Sequence, residues 1–243
     1  MTADGELEMK LTVLLILCGI AGFAQPAPDS IKLDNEFVRV LFLTDQPRTK
    51  TPLHRHELHR VMIYLDPMEI VLRYQDGEVD HQRWRKGQVA WSPAGRMHTG
   101  ENLVDHTARV VEIELKKPPS GKPFRTAARD PLKVNPKNVK VEIDNEHVRV
   151  LRCKYSANER EPLHEHLGDG RLTVALNDAE VKVTAEGVAD RTVKLAAGQA
   201  SWSVFRRKIP FLPGSCRSQR TRWKVSSRHR SSASSALVET VTA

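Results

Sequence analysis

Three histidines carry the clearest chemistry in this sequence. His54 and His56 stand two residues apart in Pro52-Leu-His-Arg-His56, and His98 lies some forty residues further on, just past a turn. In an extended chain, residues i and i+2 share a face, so the two imidazoles of the pair point the same way. A third imidazole brought in by a distant turn completes a three-nitrogen set for a metal ion. Neutral imidazole suits Fe, Zn, Mn, Ni or Cu in their divalent forms.

The elements that must position these rings can be read around them. His98 sits in Gly87-Gln-Val-Ala-Trp-Ser-Pro93-Ala-Gly95-Arg-Met-His98-Thr-Gly-Glu-Asn102. Gly87 suits a turn with positive φ. Val89 and Trp91 alternate with polar neighbours, the pattern of a half-buried strand. Pro93 and Gly95 set a second tight turn, which aims His98 back towards the first pair.

These two segments resemble the two motifs of the cupin superfamily. The second motif is Gly, five residues, Pro, one residue, Gly, two residues, His, three residues, Asn. Gly87, Pro93, Gly95, His98 and Asn102 match it at every defined position. The first motif has His-x-His and then, after three or four intervening residues, Glu. His54 and His56 match the pair, but the Glu positions hold Arg60 and Val61. The resemblance implies an all-β fold of double-stranded β-helix (jelly-roll-like) barrels with His54, His56 and His98 as metal ligands. It implies metal-assisted chemistry such as dioxygenation or isomerisation, the metal acting as Lewis acid or oxygen activator.

Arg60 is the departure with consequences. One reading makes it the substrate-binding residue, its planar fork holding the carboxylate or phosphate of a small-molecule ligand. A second has its charge excluding a metal by repulsion, giving a metal-free binding or structural barrel. A slip of one residue in strand register would turn it outward instead. The other candidates are weaker. His59 could join the site through a bulge, though a surface histidine is the plainer reading. His81, His106 and Glu57 read as solvent-facing, and Glu101 as a weak alternative carboxylate. Ser92 and Ser203 follow tryptophans with no acidic partner at a recognisable spacing, and Trp91 and Trp202 read as packing aromatics.

The chain also repeats itself. Ile143-Asp-Asn-Glu-His-Val-Arg-Val-Leu151 copies Leu33-Asp-Asn-Glu-Phe-Val-Arg-Val-Leu41. Pro162-Leu-His164-Glu-His166 copies Pro52-Leu-His54-Arg-His56, and Gly198-Gln-Ala-Ser-Trp-Ser203 copies Gly87-Gln-Val-Ala-Trp-Ser92. Collinear copies at a nearly constant offset of 110 or 111 residues mean a tandem duplication of one domain. With the resemblance this implies a bicupin. Arg171 in the second copy stands where Arg60 stands in the first.

The copy is lost after Ser203. Val204, Arg206, Ile209 and Pro213 occupy the places of Pro93, Gly95, His98 and Asn102, so no third imidazole is expected beside His164 and His166, and no metal there. Eight serines fall between Ser215 and Ser235, and from Val204 onward nine Lys or Arg face the single acid Glu239. A loss of homology with a jump in Arg and Ser is the mark of a reading-frame change, so residues from about 205 onward are expected to be out of frame. Resequencing that finds no single-base change near codon 205 would sink this. The alternative is a basic tail for anionic surfaces or nucleic acid, which would bind with strong salt dependence that truncation at Val204 abolishes.

Bulk properties agree with this division. The chain has 243 residues and a net charge of +8, but without the tail it holds 29 basic and 29 acidic residues. The body is neutral, so no nucleic-acid partner is expected for it. Cys18, Cys153 and Cys216 contain no Cys-x-x-Cys pair, and Cys153 reads as a small buried hydrophobe. Met9-Lys10, an apolar run from Leu11 to Ala21 and small residues before Gln25 read as a signal peptide over 1–24, with Met9 as the candidate true start. The run is too short to span a bilayer, so the expectation is an exported, periplasmic or secreted protein without stable membrane insertion. The organisation expected is a first barrel over 31–117, a Pro-rich linker over 118–138, a partial second barrel over 139–204 and a tail over 205–243. An incomplete barrel leaves an open sheet edge, which favours a homodimer or aggregation.

Overall fold

The computed structural model describes residues 31–119, 127–156, 159–165, 170–185, 188–204, 220–226 and 235–242. The signal-peptide reading, residues 120–126 of the linker and His166 lie outside these residues. Among the described residues no helix is long and apolar enough to cross a membrane.

The first unit opens with β1 (Ile31–Asp34) and β2 (Val38–Asp45). The side chain of Asn35 makes the turn between them, its Oδ1 accepting from the backbone N–H groups of Phe37 and Val38. Next come β3 (Arg60–Tyr64), β4 (Met68–Tyr74), β5 (Val79–Trp84), β6 (Val89–Ser92), β7 (His98–Asn102) and β8 (Ala108–Leu115). They form two antiparallel sheets, one in the order β1-β2-β8-β3-β6 and one in the order β5-β4-β7. Gly77 and Gly87 take positive φ in the turns before β5 and β6.

The five-stranded sheet is buried on both faces, which explains its sequence. On β3, Val61 and Ile63 face one way and Arg60, Met62 and Tyr64 the other. On β8, Val111, Ile113 and Leu115 oppose Val110 and Glu112. The first set joins Val148, Val150, Leu172 and Val174 of the second unit in one apolar cluster. The second set lines the interior of the first barrel. Two buried faces produce a near-continuous apolar run, where a solvated sheet would alternate cleanly.

Residues 127–138, the end of the stretch read as linker, are ordered. α1 (Pro131–Val134) is capped by Asp130, whose side chain accepts from Leu132 N–H. Asp130 is also buried against Arg149 at 3.1 Å. The second unit then follows the plan of the first: β9 (Val139–Asp144), β10 (Val148–Tyr155), β11 (His164–Glu165), β12 (Gly170–Ala175), β13 (Ala179–Ala185), β14 (Val188–Leu195) and β15 (Ala200–Val204). Asn145 repeats the Asn35 turn at His147 and Val148.

The region beyond Ser203, expected to lack strands, contributes β16 (Arg220–Ser226) and β17 (Ser235–Thr242). β17 inserts between β10 and β12, as β8 inserts between β2 and β3, and the sheets run β15-β12-β17-β10-β9 and β11-β16-β13-β14. Its register explains why sequence comparison at a fixed offset missed it. Thr173 pairs with Glu239 as Met62 pairs with Glu112. Glu239 thus stands 127 residues after Glu112, whereas Arg171 follows Arg60 by 111. The copy resumes in Leu237-Val-Glu239 after an insertion. β16 and β17 each add a strand to one of the two sheets of the second unit.

Candidate metal centre

The two motif segments are stitched together by the backbone. His54 and His98 form an isolated antiparallel bridge. His54 N–H donates to His98 O at 3.0 Å, and His98 N–H donates back to His54 O at 2.8 Å. Gly95 N–H donates to His56 O at 2.9 Å, and Gly95 itself takes φ 109°. His54 and His56 lie in an extended segment before β3 rather than in a regular strand, and the i, i+2 spacing still sets both rings on one side.

The three expected imidazoles converge. Their ring nitrogens lie within 4.8 Å of one another, and among the described residues they are the one group of potential ligands that assembles in this way. Second partners fix how two of the rings present themselves. His54 Nδ1 donates to Pro52 O at 2.7 Å, and His98 Nδ1 donates to Arg96 O at 2.8 Å. A carbonyl only accepts, so each Nδ1 carries the proton and each Nε2 offers a bare lone pair. His54 Nε2 lies 3.2 Å from His56 Nε2. Burial, reinforced by the charge of Arg60 and by the other two rings, pushes His56 down to about 3. Burial also lowers His98, and Arg60 and His54 add to the shift, although the bond to Arg96 O opposes it. Two Nε2 lone pairs facing a third imidazole whose pKa burial lowers are a donor set that fits a divalent ion.

Arg60 faces the interior and is 7% exposed. Its Nη1 donates to Glu112 Oε2 at 2.9 Å and its Nη2 to Ser92 Oγ at 2.8 Å. Sequence reasoning missed Glu112. Its signal was a lone carboxylate inside the apolar run Val110-Val-Glu-Ile113, where a buried charge requires a partner. Burial pushes the Glu112 carboxyl up against the pull of Arg60. The cation that replaces the expected carboxylate is thus itself neutralised from across the sheet.

These groups surround a cavity of about 280 Å³. Strand register orders its walls in layers. The three histidines and Tyr74 stand at the mouth, since Tyr74 pairs with His98. Arg60, paired with Ser92 on β6, forms the next layer with Glu112. Met62 and Ala90 lie opposite one another below it, and Tyr64, Met68 and Trp84 form the floor. Arg96 clasps the rim, its guanidinium 3.6 Å above the Tyr74 ring and 2.8 Å from both Asp76 and Glu78.

The remaining candidates fall away from the site. Glu101 pairs with Lys50 at 3.2 Å and Glu57 with Arg55 at 2.6 Å. His81 is exposed, and His106 bonds Pro67 O. His59 turns outward onto Trp91 and onto His147 of the second barrel, and its Nδ1 accepts from Ala94 N–H at 3.2 Å. Asn102 is structural, donating to Gln46 O and accepting from Val104 N–H. In the second barrel His164 is fully buried and pairs with Thr221, which replaces the third histidine there in place of the expected Ile209.

No protein-family model matches the chain, and no curated protein matches it. Solved structures do. AerE from Microcystis aeruginosa superposes over 88% of this chain and 95% of its own, with a TM-score of 0.56 at 14% identity. An oxalate decarboxylase of Bacillus subtilis, a protein with Mn(II) centres, superposes over 85% of this chain and 69% of its own, with a TM-score of 0.54 at 12% identity. A cupin domain of Bordetella pertussis Tohama I reaches 28% identity but covers 36% of this chain, with a TM-score of 0.34. The chain has a bicupin fold. Within this fold the described residues assemble one candidate metal centre, in the first barrel, and among the described residues the second barrel brings no third imidazole to His164.

Proposed function

We propose that this bicupin is an exported protein whose first barrel holds a divalent metal through His54, His56 and His98 and binds a small organic ligand beside it. The observation that carries this reading is the pair of Nδ1–H bonds to Pro52 O and Arg96 O, which leave two Nε2 lone pairs facing His56. Half-buried histidines anchored in this way by backbone carbonyls are the usual arrangement of metal ligands. A bound metal supplies Lewis-acid or oxygen-activating chemistry. The chain's own residues do the rest. Arg60, held by Glu112 and Ser92, sets a guanidinium paired with a carboxylate beside the three rings, and Arg96 narrows the mouth against Tyr74. The fold names no substrate by itself, so the site must supply that argument. Export rests on the run from Met9 to Ala24.

Equilibrium dialysis against Zn(II), Mn(II) and Fe(II) tests the reading. The expected result is one ion per chain, lost in His54→Ala and retained in His164→Ala. No binding of any of the three ions would leave the competing reading, in which the charge of Arg60 keeps the barrel metal-free and the pocket only binds its ligand.

A further inference from the structure

The layering of the cavity carries an inference about the ligand, and it rests on the reading above. The charges inside the barrel nearly cancel. Arg60 is answered by Glu112 at 2.9 Å, with the two side chains 8% and 7% exposed, and Arg96 is answered at the rim by Asp76 and Glu78. The carboxylate that would offset a bound dication is missing from position 60. A metal on three imidazoles therefore leaves its positive charge unanswered, because Arg60 and Glu112 cancel one another and supply no spare anion. The ligand must bring the negative charge at this end.

The far end demands the opposite. Met62, Met68, Ile70, Leu72 and Trp84 line the deeper part, and Val110 closes it. Asp45 is the one acid there, and its ionised carboxylate repels a second anion. Tyr64 and Gln82 are polar members of this wall, and Gln82 Nε2 already donates to Asp80, so a second carboxylate there would give up its hydration for few partners, at a cost of several kcal/mol. An apolar body placed there gains roughly 25 cal/mol for each Å² it buries.

We propose that the first-barrel cavity takes a monocarboxylate with an apolar body, aromatic or branched-aliphatic, its head at the three histidines and Arg60 and its body against Met62, Ile70, Leu72 and Trp84. Two wholly polar classes are disfavoured by the same walls: short dicarboxylates and sugars.

Full-length protein loaded with Zn(II) is titrated with phenylacetate, phenylacetamide and malonate, read by calorimetry and by the fluorescence of Trp84 and Trp91. Phenylacetate should bind about tenfold or more tightly than either competitor, because the amide lacks the charge and malonate lacks the body. Leu72→Asp should remove most of the phenylacetate affinity while zinc stoichiometry and circular dichroism stay unchanged. Should Leu72→Asp fail to fold, Leu72→Gln is read in the same way. Malonate binding as well as phenylacetate, the amide matching the acid, or no binding of any of the three would overturn the proposal. Repeating the series without metal separates the two readings. If the protein takes up no zinc yet still prefers phenylacetate, the metal assignment fails and the ligand class stands. If zinc binds and malonate wins, the reverse holds.

Discussion

Arg60 and Glu112 are the residues on which the interior of the first barrel turns. Each is a buried charge whose cost is offset by the other, and Ser92 Oγ accepts a further bond from Arg60. Removing one partner leaves the other buried and unpaired, whereas replacing both with apolar groups of similar volume is often close to neutral. Arg60→Met should therefore destabilise the protein by about 3–5 kcal/mol, and Arg60→Met with Glu112→Leu should recover most of that loss. Urea denaturation of the two variants measures both. Equal losses would mean that the pair is not the coupled unit described. At this scale the sequence was highly legible: the spacing of His54, His56 and His98 marked the three rings that converge. Glu112 was not legible, because its partner lies on another strand 52 residues away and no local pattern links them.

The turn between β6 and β7 is the element that delivers His98, and its supports lie outside the motif. Gly95 N–H is held by His56 O, and Ala94 N–H is held by His59 Nδ1. His59 packs on Trp91 and His147. Burial lowers its pKa first, the nearby His147 adds to this, and Glu146 opposes it. With a folded pKa below the ordinary imidazole value of about 6.5, the unfolded chain takes up the proton first as pH falls. This contribution to stability is complete above about 6.5 and is lost as pH drops towards the lowered folded value. Protonated His59 also loses the acceptor for Ala94 N–H. Metal-free protein should therefore melt at a lower temperature near pH 5 than near pH 7.5, and His59→Asn should reduce that dependence in part, the lowered His56 and His98 keeping the rest. An unchanged slope in the variant would remove His59 from this role. Strand existence was legible at this scale through alternation and turn residues. β17 was hidden because an insertion broke the constant offset on which the repeat had been traced.

At the scale of the molecule, the two barrels pack through related contacts. Phe37 stacks on Trp202 at 5.3 Å, and His147, the counterpart of Phe37, lies 5.3 Å from Trp91, the counterpart of Trp202. Arg152 Nη2 donates to Gly87 O at 2.5 Å, while its counterpart Phe42 lies over Gly198. The duplication visible in the sequence is thus an internal dimer with approximate two-fold symmetry, an isologous contact within one chain. A Cβ at Gly198 would fall inside the Phe42 ring and 2.8 Å from Leu65 Cδ1, at a φ of 83°. Gly198→Ala should cost about 1–3 kcal/mol by overpacking this contact, more than the same change at Gly77, whose Cβ would meet open space. Thermal denaturation of the two variants compares them. The sequence showed that the units repeat, but their packing depends on Phe42, Leu65 and Leu176, residues that in sequence look like ordinary strand interior.

The central claim is that three histidine nitrogens, and no protein carboxylate, hold a metal in the first barrel. X-ray absorption at the zinc edge of the loaded protein tests it most directly. The account predicts three imidazole nitrogens at about 2.0–2.1 Å, the remaining positions filled by light solvent atoms, and loss of one imidazole in His98→Ala. A spectrum dominated by carboxylate oxygen, or one left unchanged by His98→Ala, would contradict it.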